Sequence, residues 1–107
     1  MLFRSLDAVE EIAAVPGLDG LFVGPSDLSI ALSNGAGIDK TATYTLEAMK
    51  RVAAAAAKNN LVAGAFAGTA EIIKTYAAIG YSFMAGAVDV DLLQAGASSL
   101  MKAVKGV

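Results

Sequence analysis

A single carboxylate and a small hydroxyl residue stand in the turn Gly24-Pro25-Ser26-Asp27, directly after the apolar run Leu21-Phe22-Val23. An apolar run that stops at such a turn is typical of the C-terminal end of a strand in a β/α unit, where ligand sites collect. Backbone N–H groups in the turn can bind a carboxylate or phosphate, and Asp27 can ligate a hard divalent cation through oxygen. Asp27 can equally serve as a helix N-cap, since Asp is a leading residue at that position.

Two more carboxylates, Asp89 and Asp91, follow the third apolar run of the chain and therefore belong to the same end of a parallel sheet. A metal-and-anion site built from Asp27 with Asp89 or Asp91 is one hypothesis. The residue types favour a simpler interpretation, in which Asp89 caps a helix and Asp91 is an acid in its first turn. Thr69 and Glu71 are interpreted in the same way, as a cap and a first-turn acid.

Composition excludes several classes of protein. The 107 residues include no Cys and no His. Disulfides and thiolate metal sites are therefore excluded, and the commonest general base and zinc ligand is missing. The net charge of −2 and the scattered basic residues argue against nucleic-acid binding. No apolar run approaches the roughly 20 residues of a membrane span, and the N-terminus has no signal-peptide core. We expect a cytoplasmic protein that neither binds nucleic acid nor enters a membrane.

Apolar periodicity predicts four main helices, a short helical segment and three strands. The first helix is capped by Ser5 and ended by Pro16-Gly17, and a long helix follows over 43–58. The third helix is capped by Thr69 with Gly80 at its C′ position, and the last is capped by Asp89. The predicted strands are 21–23, 61–66 and 81–85, and one or two helical turns are predicted over 28–32. We expect the first strand to be buried on both faces, as is common in parallel sheets.

The predicted order α-β-α-β-α-β-α indicates an α/β fold with a parallel three-stranded sheet and right-handed crossovers. Three parallel strands leave two unpaired edges, which is unfavourable for an isolated sheet. The chain is therefore either an open α/β module with few strands, or part of a (β/α)₈ barrel that another chain or another copy completes.

The segment from Val15 to Ser29, VPGLDGLFVGPSDLS, closely resembles the signature of the HpcH/HpaI aldolases of the phosphoenolpyruvate/pyruvate barrel superfamily. The similarity continues through Gly64 in the second strand, through 79–83 before the third, and through 88–93 at the start of the last helix. It covers essentially the whole chain and corresponds to the C-terminal portion of a family member. The resemblance implies that residues 1–107 form one partial barrel domain, strands six to eight with their flanking helices.

Family members are metal-dependent pyruvate aldolases that cleave or form 4-hydroxy-2-oxo acids, and the last helix often crosses to a neighbouring subunit. By resemblance, Asp27 is one of two carboxylate ligands of a divalent cation of the Mg²⁺ or Mn²⁺ type. Ser26 offers its backbone N–H to the pyruvate carboxylate, and Gly24 and Pro25 shape that corner. Pyruvate or another 2-oxo acid is the implied ligand, and a homo-oligomer or association with a complementary barrel part is the implied assembly.

Other parts of the family's site have no counterpart here. Counting back along the signature, the second metal carboxylate falls at Met1, and the family's catalytic His and stabilising Arg lie further upstream. We therefore expect no aldol turnover from this chain alone. The rival hypothesis is a non-catalytic α/β interaction or binding module that pairs through its exposed sheet edges. The short Ala87-Val88 connection favours a last helix packed on its own sheet, through Leu93, Ala97, Leu100, Met101 and Val104.

Overall fold

A computed structural model describes residues 2–106, with side chains from Ser5 onward. The elements are α1 (Leu2–Asp7), α2 (Val9–Ala13), β1 (Gly20–Val23), α3 (Pro25–Leu32), α4 (Thr43–Lys58), β2 (Val62–Phe66), α5 (Ala70–Ala78), β3 (Phe83–Ala85) and α6 (Asp89–Lys105). The long helix has the predicted bounds. Gly80 lies just beyond α5 with φ of 109°, the left-handed conformation expected of a C′ glycine.

The three strands form one sheet in the order β1-β2-β3, and both pairings are parallel. This confirms the predicted α/β fold with a three-stranded parallel sheet. One face of the sheet packs against the helices. The residues that pack there include Val23 of β1, Ala63 and Ala65 of β2, and Met49 and Tyr76 from the helices.

The opposite face of the sheet is open, so the prediction that β1 is buried on both faces is wrong. Phe22 is 58% exposed and Phe83 is 64% exposed. Their rings meet edge to face across Gly64, with centroids 6.4 Å apart. The helices of the core cover one face only, whereas a doubly wound sheet carries helices on both faces. Outer helices over a bare inner face are the arrangement of a β/α barrel wall.

The N-terminal helix differs from the prediction because Ser5 lies inside α1 and is not its cap. The helical segment breaks at Ala8, where φ is −100° and ψ is 14°, and resumes as α2. Of the apolar residues at helical spacing, Val9 and Ala13 are buried against Val52 and Ala55 of α4, whereas Ile12 is exposed. The apolar spacing was therefore informative although the predicted start was not.

The last helix, α6, does not pack on its own sheet, contrary to the prediction. None of its 17 residues is buried, and Leu93, the first residue of the apolar stripe, is 73% exposed. A crossover helix packs over the groove between its own strand and the next one, and in the described part of the chain β3 has no neighbour on that side. Val88 rather than Asp89 holds the cap position. None of the described helices is both long and apolar enough to cross a membrane.

Candidate functional site

The turn that ends β1 leads directly into α3 and exposes two backbone donors. Gly24 is the N-cap residue and Pro25, which is buried, is the first helical residue. The first helical hydrogen bond runs from the Leu28 N–H to the Gly24 carbonyl, at 3.0 Å. Pro25 has no N–H, so the N–H groups of Ser26 and Asp27 are the ones that lie outside the helical ladder. They face the C-terminal end of the sheet.

The carboxylate of Asp27 stands in the first turn of α3 and is exposed. The cap position belongs to Gly24 and α3 has no side-chain cap, so the interpretation of Asp27 as an N-cap is wrong. A methyl group placed on Gly24 would lie 3.6 Å from Asp27 Oδ2. The carboxylate therefore lies close to the Gly24 turn, in the same first turn of α3 that carries the Ser26 and Asp27 N–H groups.

Ser29, one helical turn below Ser26, is fully buried. Its hydroxyl donates to the Ser26 carbonyl at 2.8 Å and accepts a hydrogen bond from the Asp39 N–H at 3.1 Å. It therefore fixes the Ser26–Asp27 turn and ties it to the loop 33–42, which follows α3. The sequence analysis did not identify this residue, because a Ser in an apolar-polar segment gives no sign of burial.

Lys40, near the end of that loop, is a second feature that the sequence analysis missed. Its Nζ donates to the Ala67 carbonyl at 3.3 Å and lies 5.1 Å from the centroid of the Phe66 ring. The Lys40 carbonyl accepts a hydrogen bond from the Tyr76 hydroxyl at 2.8 Å. Burial raises the pKa of Tyr76 to about 12, so this hydroxyl stays protonated and remains a donor. The one signal in the sequence was that Lys40 is the only cation of the loop 33–42.

The other acidic candidates lie apart from Asp27. Asp89 follows β3, and β2 separates β3 from β1, so the two strand ends are about 10 Å apart. Asp89 Oδ1 accepts a hydrogen bond from the Val90 N–H at 2.8 Å. Across residues 2–106, no three acidic, His or Cys side chains group into a metal site. The shared site of Asp27 with Asp89 or Asp91 stays a prediction, which this strand spacing disfavours.

Two further predictions concern Thr69 and Met1. Thr69 is the predicted N-cap of α5: its Oγ1 accepts a hydrogen bond from the Ile72 N–H at 3.2 Å. Glu71 lies in the first turn, as predicted. The position of the family's second metal carboxylate, counted back to Met1, lies outside the described residues.

The parallel β/α units and the corner at the C-terminal strand ends define the class: an α/β protein whose candidate site lies where β/α-barrel enzymes bind their ligands. The family model described as HpcH/HpaI aldolase/citrate lyase matches residues 4–95. The chain belongs to this family, as the signature around Asp27 predicted.

Relatives and solved structures agree with this assignment. The chain is 38% identical over 103 residues to a 2-dehydro-3,6-dideoxy-6-sulfogluconate aldolase of Pseudomonas putida, covering 95% of this chain and 39% of the relative. It is 44% identical over 87 residues to a hydroxypyruvate/pyruvate aldolase of Paraburkholderia phytofirmans, covering 81% and 33%. A solved family protein from Burkholderia cenocepacia superposes with a TM-score of 0.83 at 35% identity, covering 95% and 39%. The chain thus spans between a third and two-fifths of the length of these proteins.

Proposed function

We propose that this chain supplies the pyruvate- and metal-binding corner of a divalent-metal-dependent aldolase that acts on 4-hydroxy-2-oxo acids. One observation carries the proposal: the exposed Asp27 carboxylate and the backbone donors of Ser26 and Asp27 stand in the same first turn of α3, directly after β1. In the same proposal, residues 1–107 correspond to strands six to eight of a (β/α)₈ barrel. The bare aromatic face of the sheet supports this, because it matches the interior surface of a barrel wall.

The residues present fit a divalent cation in part. Asp27 provides the carboxylate oxygen that a Mg²⁺- or Mn²⁺-type cation prefers, and the described chain offers no group of three such ligands. The remaining ligands would come from a second carboxylate outside the corner, from the 2-oxo acid and from water. When bound, the cation would supply Lewis-acid chemistry, polarising the 2-oxo group and stabilising the negative charge that develops on C–C cleavage.

The chain's own residues bind and orient the pyruvate unit. The Ser26 N–H donates to the pyruvate carboxylate, and the partial positive charge of the α3 N-terminus favours that anion. The buried Pro25 and the bond from Ser29 to the Ser26 carbonyl hold the donor in place. Proton transfer requires a general base, and the chain contains no His. We therefore propose that this polypeptide alone does not release pyruvate from a 4-hydroxy-2-oxo acid in the presence of Mn²⁺.

Electron paramagnetic resonance of Mn²⁺ tests the metal assignment. The concentration of free Mn²⁺ is measured in the presence of pyruvate for the wild type and for Asp27→Asn. Asp91→Asn is the matched control, because it changes another exposed acid. We expect weak binding that Asp27→Asn reduces at least tenfold and Asp91→Asn leaves unchanged. Equal binding by all three proteins would remove Asp27 from the site, and equal losses in both variants would favour the shared Asp27–Asp91 site.

The second candidate function is an interaction module that pairs through its open sheet. The exposed Phe22 and Phe83 side chains and the two strand edges favour it, because such surfaces associate in water. Sedimentation velocity at several concentrations tests it, and a homo-oligomer that Phe83→Ser dissociates is the expected result. A stable monomer would refute this function.

A cytoplasmic location, predicted from the sequence, remains part of the aldolase proposal.

A further inference from the structure

Lys40 is held at the mouth of the sheet by three buried polar side chains. Ser29 accepts from the Asp39 N–H, Thr45 donates to the Asp39 carbonyl at 2.8 Å, and Tyr76 donates to the Lys40 carbonyl. All three side chains are fully buried. Burying three hydroxyls is costly unless each is hydrogen-bonded, and here each is bonded to one two-residue segment. The fold therefore positions the Lys40 backbone firmly.

The ammonium group of Lys40 retains unused hydrogen-bonding capacity. An ammonium has three donors, and within the described chain one bond is made, to the Ala67 carbonyl. No carboxylate of that region lies within ion-pair distance of it. The neighbouring Asp39 carboxylate instead accepts from the Thr41 N–H at 3.1 Å. The positive charge of Lys40 is thus not neutralised by its own loop.

The space beside this ammonium is open because residue 68 is a glycine. A methyl group on Gly68 would lie 3.4 Å from Lys40 Nζ and 3.3 Å from the Phe66 ring. Gly68 has φ of 91° and precedes α5, whose Ala70 N–H lies outside the helical ladder. A cation, an open glycine turn and a helix N-terminus therefore meet at the end of β2. The exposed Glu71 in the same turn opposes an anion there.

Lys40 Nζ lies at the C-terminal end of β2, and Asp27 follows the C-terminal end of the adjacent strand β1. Val23 pairs with Ala65, so the turn that starts at Gly24 is level with the residues that follow Ala65. Neighbouring strands lie about 4.8 Å apart. We propose that Lys40 and the Gly68 turn form an anion subsite, which binds a carboxylate or phosphate at the end of the substrate remote from its 2-oxo group. Assigning this anion to the substrate rests on the function proposed above, whereas the binding of an anion does not.

Nuclear magnetic resonance titration of the ¹⁵N-labelled chain, without metal or pyruvate, tests the subsite. Inorganic phosphate and acetate are the probes, and sodium chloride is the ionic-strength control. We expect saturable shift changes centred on the amides of Lys40 and Gly68. Lys40→Met should weaken binding at least tenfold, Lys40→Arg should keep it within threefold, and Lys74→Met, at an exposed position on α5, should not change it. Tighter phosphate binding would assign a phosphate to the substrate end, and tighter acetate binding a carboxylate.

The spectra also report whether each variant is folded. If Lys40→Met does not fold, the comparison of Lys40→Arg with the wild type still tests the subsite. Equal affinity in Lys40→Met and the wild type would overturn the subsite, as would shifts that sodium chloride reproduces. Failure of Mn²⁺ binding at Asp27 would refute the aldolase corner but leave a Lys40-dependent anion site intact. The two proposals therefore fail separately.

Discussion

Replacing Ser29 with Ala removes the side chain that joins the Ser26–Asp27 turn to the loop 33–42, which carries Lys40. The Ser26 carbonyl keeps its helical partner within α3, but the Asp39 N–H loses its acceptor. An unsatisfied buried donor costs about 1–3 kcal/mol, and the Asp39 bond is partly buried, so we expect the lower half of that range. At about 4–8 °C per kcal/mol for a domain near this size, a loss of about 1–2 kcal/mol should lower the melting temperature by roughly 4–16 °C.

The measurement is thermal unfolding combined with amide hydrogen exchange. Ser33→Ala is the matched control, because Ser33 makes longer bonds, of 3.2 and 3.3 Å, near the exposed end of the same helix. We expect Ser33→Ala to change stability by less than about 0.5 kcal/mol. Exchange at the Asp39 amide should accelerate in Ser29→Ala beyond the change in global stability. A Ser29→Ala protein with wild-type melting and a protected Asp39 amide would refute the anchoring role.

Three further predictions concern other parts of the chain. Gly64→Ala should destabilise by about 1–3 kcal/mol, because its methyl would lie 2.9 Å from a carbonyl oxygen of the next strand. Gly96→Ala, in an open part of the unpacked helix α6, should not destabilise the chain, and chemical denaturation compares the two. Stability should fall as the pH rises from about 10 to 12, because burial raises the pKa of Tyr76 to about 12 in the folded chain, whereas the unfolded value is near 10, so Tyr76 ionises there only in the unfolded chain. Tyr76→Phe should reduce this slope in pH-dependent melts without abolishing it, because burial also raises the pKa of Tyr81. Leu93→Lys should leave the melting temperature unchanged, since that side chain is exposed; a drop of several degrees would show that α6 packs on the body after all.

Local signals predicted much of this fold correctly. The apolar period of α4 gave its bounds, and the Thr69 hydroxyl was identified as a cap that the structure confirms. Both depend on residues within a turn or two of one another. The turn from β1 to α3 was also predictable, because the end of the strand, Gly24-Pro25 and the following carboxylate are consecutive in the sequence.

The errors arose where the outcome depends on distant residues. The exposure of Phe22 depends on what covers the inner face of the sheet. A Phe in an apolar run is typical of a core residue, so its type alone predicts burial. The packing of α6 depends on a strand on the far side of β3, and residues 2–106 form none there. Lys40 was overlooked because its position is set by Tyr76, 36 residues away in the sequence. None of these relations leaves a periodic or short-range signature.

Mapping the position of Mn²⁺ by paramagnetic broadening tests the central claim most directly. Amide signals of the ¹⁵N-labelled chain are recorded with pyruvate and substoichiometric Mn²⁺, for the wild type and for Asp27→Asn. The account predicts broadening centred on the amides of Ser26 and Asp27, at the N-terminus of α3, and its loss in Asp27→Asn. Broadening centred elsewhere, or unchanged by Asp27→Asn, would contradict the assignment of this corner as the metal and pyruvate site.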